Sequence, residues 1–239
     1  MRRLARGAGW VLLLSVAGVA IGVTAGVWQL GRAGEKRALE ARFAAGSDAA
    51  PLVALVPGDP DPALRYRAIR LTGRYDAGHQ VLLDNLSHQQ RPGYQVLTPF
   101  VTAAGTVLVN RGWVPADGDR RVLPDVAVAA GPRDVEGRID WLPRPAIELD
   151  ASPPARDEPW PRRLSFPSIA ELRDQLGVPL AGYQVLLDPA APDGFIRQWQ
   201  PGGISPERHV AYAVQWFGLA VTLVVFNLVL LARTRKTDP

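Results

Sequence analysis

The chain of 239 residues has no cysteine, and its one methionine is Met1. Without cysteine there is no disulfide, no iron–sulfur cluster and no thiolate metal site. The lack of an internal methionine also disfavours a soft-ligand copper carrier. Familiar enzyme signatures are missing too: there is no phosphate loop, no HExxH, no GxSxG, and no GxGxxG after a strand. Acidic residues are scattered, and spacing assigns no pair to acid and base roles. The chain is therefore not expected to be an enzyme.

Two long runs lack formal charge. Residues 7–31 lie between Arg6 and Arg32, and residues 210–232 between His209 and Arg233. Each exceeds the ~20 apolar residues that cross a bilayer core. A cleaved signal peptide would account for MRRLAR and for Val23-Thr24-Ala25. The first run nevertheless continues through Trp28-Gln29-Leu30, and Gly18, Gly22 and Gly26 form the small-residue ladder on which membrane helices pack.

Two spans are expected, with their ends marked by Arg2, Arg3 and Arg6 and by Arg233, Arg235 and Lys236. Positive flanks stay in the cytoplasm, so both termini are expected there. Arg32, Lys36 and Arg37 on the far side weaken that bias. Between the spans, residues 38–232 carry 18 Arg and Lys against 21 Asp and Glu. The basic character therefore belongs to the membrane flanks, and nucleic acid is not an expected partner. Nine residues before Trp10 are too few for a transit peptide, which points to a bacterial inner membrane. The expected division is a cytoplasmic tail at 1–9, a first span at 10–31, an extracytoplasmic domain at 32–208, a second span at 209–232 and a tail at 233–239.

The first helix is expected to continue through RAGEKRALEARFAA, rich in strong helix formers, and to stop at Gly46-Ser47-Asp48. A loop rich in Pro, Gly and Asp follows over 51–62. Short turn-bounded runs then suit an antiparallel meander: 66–75, 80–85, 93–102 and 105–114, with another strand at 134–141. In the first of these, Tyr66, Ala68, Leu71 and Tyr75 stand among polar residues. Residues 142–167 read as irregular. Ser168 to Glu171 is a capping box opening a short helix stopped by Gly177. Final strands are expected at 182–188 and 194–199, and GYQVL occurs twice, at 93–97 and 182–186. The fold class is an α+β membrane protein: a two-helix transmembrane hairpin flanking a mainly antiparallel β domain with a short helix.

Three regions could carry chemistry. His79 and His88 bracket DNLS in an expected hairpin and read as solvated loop residues. Asn110-Arg111-Gly112-Trp113 closes a strand. Its bland reading is a turn with a solvated Arg and a packed Trp; its functional reading is a partner-binding surface of Asn110, Arg111 and Trp113.

The third region is RHVAYAVQWFGLA, where the second span begins. At about 100° per residue, His209, Tyr212 and Trp216 share one helix face. Two-span topology brings Trp28, Gln29 and Arg32 to the same membrane level. An aromatic belt accounts for Trp28, Tyr212 and Trp216, which membrane lipids alone would attract. It accounts less well for His209, Gln29 and Gln215, because polar groups at membrane depth tend to be paired or functional. Histidine is also a common haem ligand, and Arg32, Lys36, Arg37 or Arg208 could meet propionates.

These segments resemble the Surfeit locus protein 1 family of cytochrome c oxidase assembly factors. The likeness runs through Gly26-Val27-Trp28-Gln29-Leu30-Gly31-Arg32 with Lys36, GYQVLTPF (93–100), VLVNRGWVP (107–115) and HVAYAVQWFGLA (209–220). Residues 142–181 do not map closely, and no functional residue is carried over there. The resemblance implies help in building the oxidase as haem a enters its catalytic subunit, with His209 as iron ligand. Trp28, Gln29, Tyr212 and Trp216 would line the haem site and Arg32 would meet a propionate. The partners implied are the cytochrome c oxidase catalytic subunit and a haem a synthase. The rivals are a cofactor-free membrane scaffold and, more remotely, a haem-modifying membrane enzyme.

Overall fold

A computed structural model describes residues 2–46, 49–56, 58, 61–144 and 159–235, with side chains described for all of these except 2–9, Asn85, 234 and 235. The expected helix stop at Ser47-Asp48, the charged side chains proposed to orient the termini (Arg2, Arg3, Arg6, Arg235 and Lys236), and parts of the 51–62 and 142–167 loops lie outside the described residues. The chain divides into two compact units, Met1–Ala41 with Pro201–Pro239, and Arg42–Gln200.

The first unit is a helical hairpin. Helix α1 (Arg2–Ala45) is continuous, so its charged second half extends the apolar first half. The partner helix, α3 (Pro206–Arg235), begins one turn before the apolar run, with Pro206 in its first turn, where a missing N–H costs nothing. Trp10–Ala45 and Pro206–Arg233 are each long and apolar enough to cross a membrane. Leu13, Leu14, Ile21, Val214, Val221 and Leu228 are among the apolar side chains they expose. A water-soluble hairpin would bury such residues, and lipid makes their exposure favourable. This is an α+β two-span membrane protein.

The glycine ladder faces α3. A Cβ added at Gly26 would come within 2.5 Å of the Phe217 ring, and one at Gly18 within 2.8 Å of Leu223. At Gly22 it would meet the Trp216 carbonyl at 3.0 Å and Ala220 Cβ at 3.2 Å. Buried Ala33, Ala213 and Ala220 complete the seam. Lipid supplies no hydrophobic drive for helix pairing, so this backbone approach gains its stability from packing.

The second unit is built on seven strands: β1 (Ala68–Tyr75), β2 (Val81–His88), β3 (Arg91–Thr102), β4 (Gly105–Pro115), β5 (Arg133–Asp140), β6 (Arg162–Leu164) and β7 (Leu180–Leu187). Their order is β1-β5-β7-β4-β3-β2-β6, and β1 also pairs with β3. The long β3 makes this possible: residues 91–97 pair with β2, whereas Phe100, Val101 and Thr102 pair with β1. Five strands thus close into a ring, which removes the edges an open sheet would expose. Alternate residues fill it, including Ile69, Leu71, Tyr75, Val107, Val109, Val135, Ile139, Tyr183, Val185 and Leu187. Most pairings are antiparallel; β4–β7 and β2–β6 are parallel.

Helix α2 (Ile169–Leu176) carries the expected box: Ser168 Oγ accepts from Glu171 N at 3.1 Å, and Ser168 N donates to Glu171 Oε2 at 2.6 Å. Gly177 ends it in the left-handed conformation. Its fully buried Leu172 joins Val81, Leu83, Leu97, Leu108, Leu164 and Leu180 outside the ring. Burial of such a leucine contributes about 1.5–3 kcal/mol.

The expected meander holds only for β2, β3 and β4, since β1 pairs with β5 and β3 and not with β2. Four local expectations are corrected as well. Tyr66 precedes β1 with φ 70°, and the inward parity is that of Ile69 and Leu71, not Ala68. DNLS is a bulged stretch within β2, and the turn is Gln89-Gln90, both with positive φ. Such a turn normally announces itself through Asn or Gly, which glutamine does not. Within 142–167 a short strand, β6, pairs with β2. At 194–199 there is no strand, only the Ile196 bridge to Trp113.

The seam yields a direct test in a cysteine-free chain. The double variant Gly22→Cys/Ala220→Cys is expected to close an intramolecular disulfide with a membrane-permeant oxidant, because the two Cβ atoms stand near bridging distance. Thiol counting should find both thiols lost; two free thiols would mean that the helices are not packed at this level.

Candidate functional site at the helix hairpin

Ser205 precedes α3, and its carbonyl accepts from His209 N at 3.2 Å. His209 therefore lies within the first turns of α3, with its side chain in the seam and only 7% of the residue exposed. Its Nδ1–H donates to Gln29 Oε1 at 2.6 Å, across 180 residues of sequence. An amide oxygen can only accept, so this contact is a hydrogen bond only in the ring that carries its proton on Nδ1. In the neutral ring, Nε2 then keeps its lone pair, and among the described residues it has no hydrogen-bond partner.

Trp28, Tyr212 and Trp216 are 59%, 42% and 37% exposed. Helices turn right-handedly by about 100° per residue, and α1 and α3 are antiparallel. That geometry places Trp28 and Arg32 on α1 and Tyr212 and Trp216 on α3 along one flank of the seam, with Gln29 and His209 at its lip. Of the six residues, His209 and Gln29 are hydrogen-bonded to each other. Arg32 pairs with Glu35 at 2.5 Å, an exposed bond of the kind worth at most about 1 kcal/mol. Lys36 donates to the Gly202 carbonyl just before α3, a structural use that composition does not signal.

The NRGW segment belongs to the β domain and is corrected in one respect: Asn110, Arg111 and Trp113 are buried, not exposed. β4 bulges opposite Val96, since Gln95 pairs with Trp113 but Leu97 with Asn110. Gly112 permits this with φ 111°; a Cβ there would also lie 2.7 Å from the Ile196 carbonyl. Arg111 keeps the inward parity of Val107 and Val109, and the bulge falls just after it. Its Nε donates to Asp193 O at 2.7 Å, Nη1 to Val126 O at 2.8 Å and Gln80 Oε1 at 3.0 Å, and Nη2 to Ala127 O at 3.1 Å. The guanidinium also lies 4.9 Å from the Phe195 ring centroid.

Asn110 Nδ2 donates to Gln95 Oε1 at 2.8 Å and to Gln184 Oε1 at 2.9 Å. These are the glutamines of the two GYQVL segments, one on each neighbour of β4. The repeat was visible in the sequence; that both copies grip one asparagine was not. Trp113 Nε1 donates to Leu86 O at 2.9 Å.

The remaining histidines do not gather. His79 bonds Asp76 at 2.7 Å and is exposed, while the His88 ring lies tilted at 5.2 Å from that of Trp113. Among the described residues no three His, Cys, Asp or Glu side chains could hold a metal together.

The SURF1 family model matches residues 16–221, which takes in both the hairpin residues and NRGW. The chain belongs to the SURF1 family. It is also 24% identical over 226 residues to a SURF1-like protein of Rickettsia conorii, covering 90% of this chain and 89% of that one. The SURF1 family is linked to cytochrome c oxidase assembly, and it is a family of assembly factors and not a known enzyme class.

In this SURF1 chain the buried arginine makes two predictions. Arg111→Met strips donors from buried carbonyls, each costing about 1–3 kcal/mol. The expected loss is about 3 kcal/mol, or roughly 6–12 °C in the melting temperature of the detergent-solubilised chain. Tyr75, beneath Arg111, has its pKa pushed up to about 12 by burial, partly offset by the guanidinium. An unfolded tyrosine ionises near 10, so the unfolded state binds fewer protons above that pH. Stability should be intact below pH 10 and fall by about 2–3 kcal/mol as pH rises to 12, read by denaturant unfolding at each pH.

Proposed function

We propose that this protein binds haem a transiently at the hairpin and assists its insertion into the catalytic subunit of cytochrome c oxidase. His209 is the iron ligand. The observation that carries this reading is the Nδ1–H bond to Gln29, which leaves Nε2 as a fixed lone-pair donor in an apolar setting.

The residues present fit such a cargo. The donor set is one imidazole, which suits a carrier that must release. Tyr212 and Trp216 offer half-exposed aromatic faces beside it, and Trp28 stands on the same flank. The seam itself, closed by glycine and alanine, has no room for a macrocycle, so the flank is the surface that serves. Arg32 exchanges its weak contact with Glu35 for a propionate, and Arg208 adjoins the ligand. Labile ligation follows: one nitrogen donor at an open flank holds haem less firmly than two axial donors in a closed pocket.

In this reading both termini are cytoplasmic and the chain sits in a bacterial inner membrane. The spans are 10–31 and 209–232, and the β domain, within 32–208, is extracytoplasmic. That domain docks the oxidase catalytic subunit or a haem a synthase.

The test is an absorbance spectrum of the full chain purified in detergent after co-expression with a haem a synthase, beside its His209→Ala variant. Stoichiometric haem a in the wild type and its loss in the variant is the expected outcome. No haem in either protein would favour a cofactor-free scaffold that stabilises a partly assembled oxidase subunit.

A further inference from the structure

The His209–Gln29 bond has a chemical consequence beyond joining two helices. A free neutral imidazole prefers its proton on Nε2, which would occupy the nitrogen pointing away from the backbone. An amide oxygen at 2.6 Å from Nδ1 reverses that preference, since it accepts only from a protonated Nδ1. The contact lies one turn from the buried Ala33 and Ala213, in a seam where a hydrogen bond is stronger than in water. Gln29 is held in place by the same seam and lies at the lip of the flank described above.

We propose that Gln29 is a positioning residue that does not itself contact cargo. It holds His209 in the Nδ1-protonated tautomer and so presets Nε2 as the donor to haem iron. This rests on the reading of His209 as the ligand. A neutral amide is also a weaker acceptor than a carboxylate, so it orients the ring without driving it towards imidazolate. That moderation suits a ligand bond that must break on transfer.

The test compares the full chain with Gln29→Met, which keeps length but loses the acceptor, and Gln29→Glu, which strengthens it. Nitrogen-15 NMR of histidine-labelled, haem-free protein reads the tautomer directly, with His79 and His88 assigned by substitution. Wild type and Gln29→Glu are expected to show Nδ1–H, and Gln29→Met to revert towards Nε2–H. In haem titrations Gln29→Met should bind about 10–100-fold more weakly. Gln29→Glu should bind at least as tightly as wild type and shift the midpoint potential of the bound haem to more negative values. This second variant keeps the test decisive if the first fails to insert.

Unchanged tautomer, affinity and potential in Gln29→Met, with haem still lost in His209→Ala, would overturn this inference alone. Haem binding that survives His209→Ala would overturn the ligand reading beneath it.

Discussion

The close approach of α1 and α3 is the constraint on which the hairpin depends. Gly18, Gly22 and Gly26 put backbone where other residues would put side chains, against Leu223, Ala220 and Phe217. With less than 3 Å free at two of these positions, the seam admits no bulk without a shift in its neighbours. The short bond between His209 and Gln29 follows from that separation. Each lies on a different helix, so spreading the backbones by even one methyl group would take the pair out of hydrogen-bond range. Packing thus sets the geometry, and geometry sets which imidazole nitrogen carries the proton.

The β domain depends on a different device. Its strands close into a five-stranded ring, and alternation along β4 turns Arg111 inward with Val107 and Val109, onto three backbone carbonyls and Gln80. Burying a guanidinium is costly unless every donor finds an acceptor. Here neutral carbonyls supply most of the acceptors, and they tie β4 to the chain at Val126–Ala127 and at Asp193. Asn110, the preceding residue, acts similarly between the glutamines of β3 and β7. Residues that stand out as interface candidates by type are therefore the polar interior of the fold.

Much of the organisation was legible in the chain. Two uncharged runs, a helix-forming extension of the first and a capping box at Ser168 each reflect local physics and appear as expected in the structure, and most of the turn-bounded alternating runs form strands. The failures share a cause. The Gln89-Gln90 turn, the bulge hidden in DNLS and the left-handed Tyr66 are conformations imposed by strand pairing on residues with no special preference for them. The short β6 exists because β2 lies beside it, not because RRL favours a strand.

The candidate site divides in the same way. The sequence by itself determined that His209, Tyr212 and Trp216 share one face of a membrane helix, because helical periodicity is a property of the chain alone. It also determined that Gln29 and Trp28 reach the same membrane level, since two spans of similar length leave no other arrangement. Only the tertiary structure decided that Gln29 touches His209, and that NRGW is buried. Contact between residues 180 positions apart depends on the distance between packed elements, and burial on what the closed sheet and its neighbouring loops cover. Neither quantity is written in the spacing of residues along one chain.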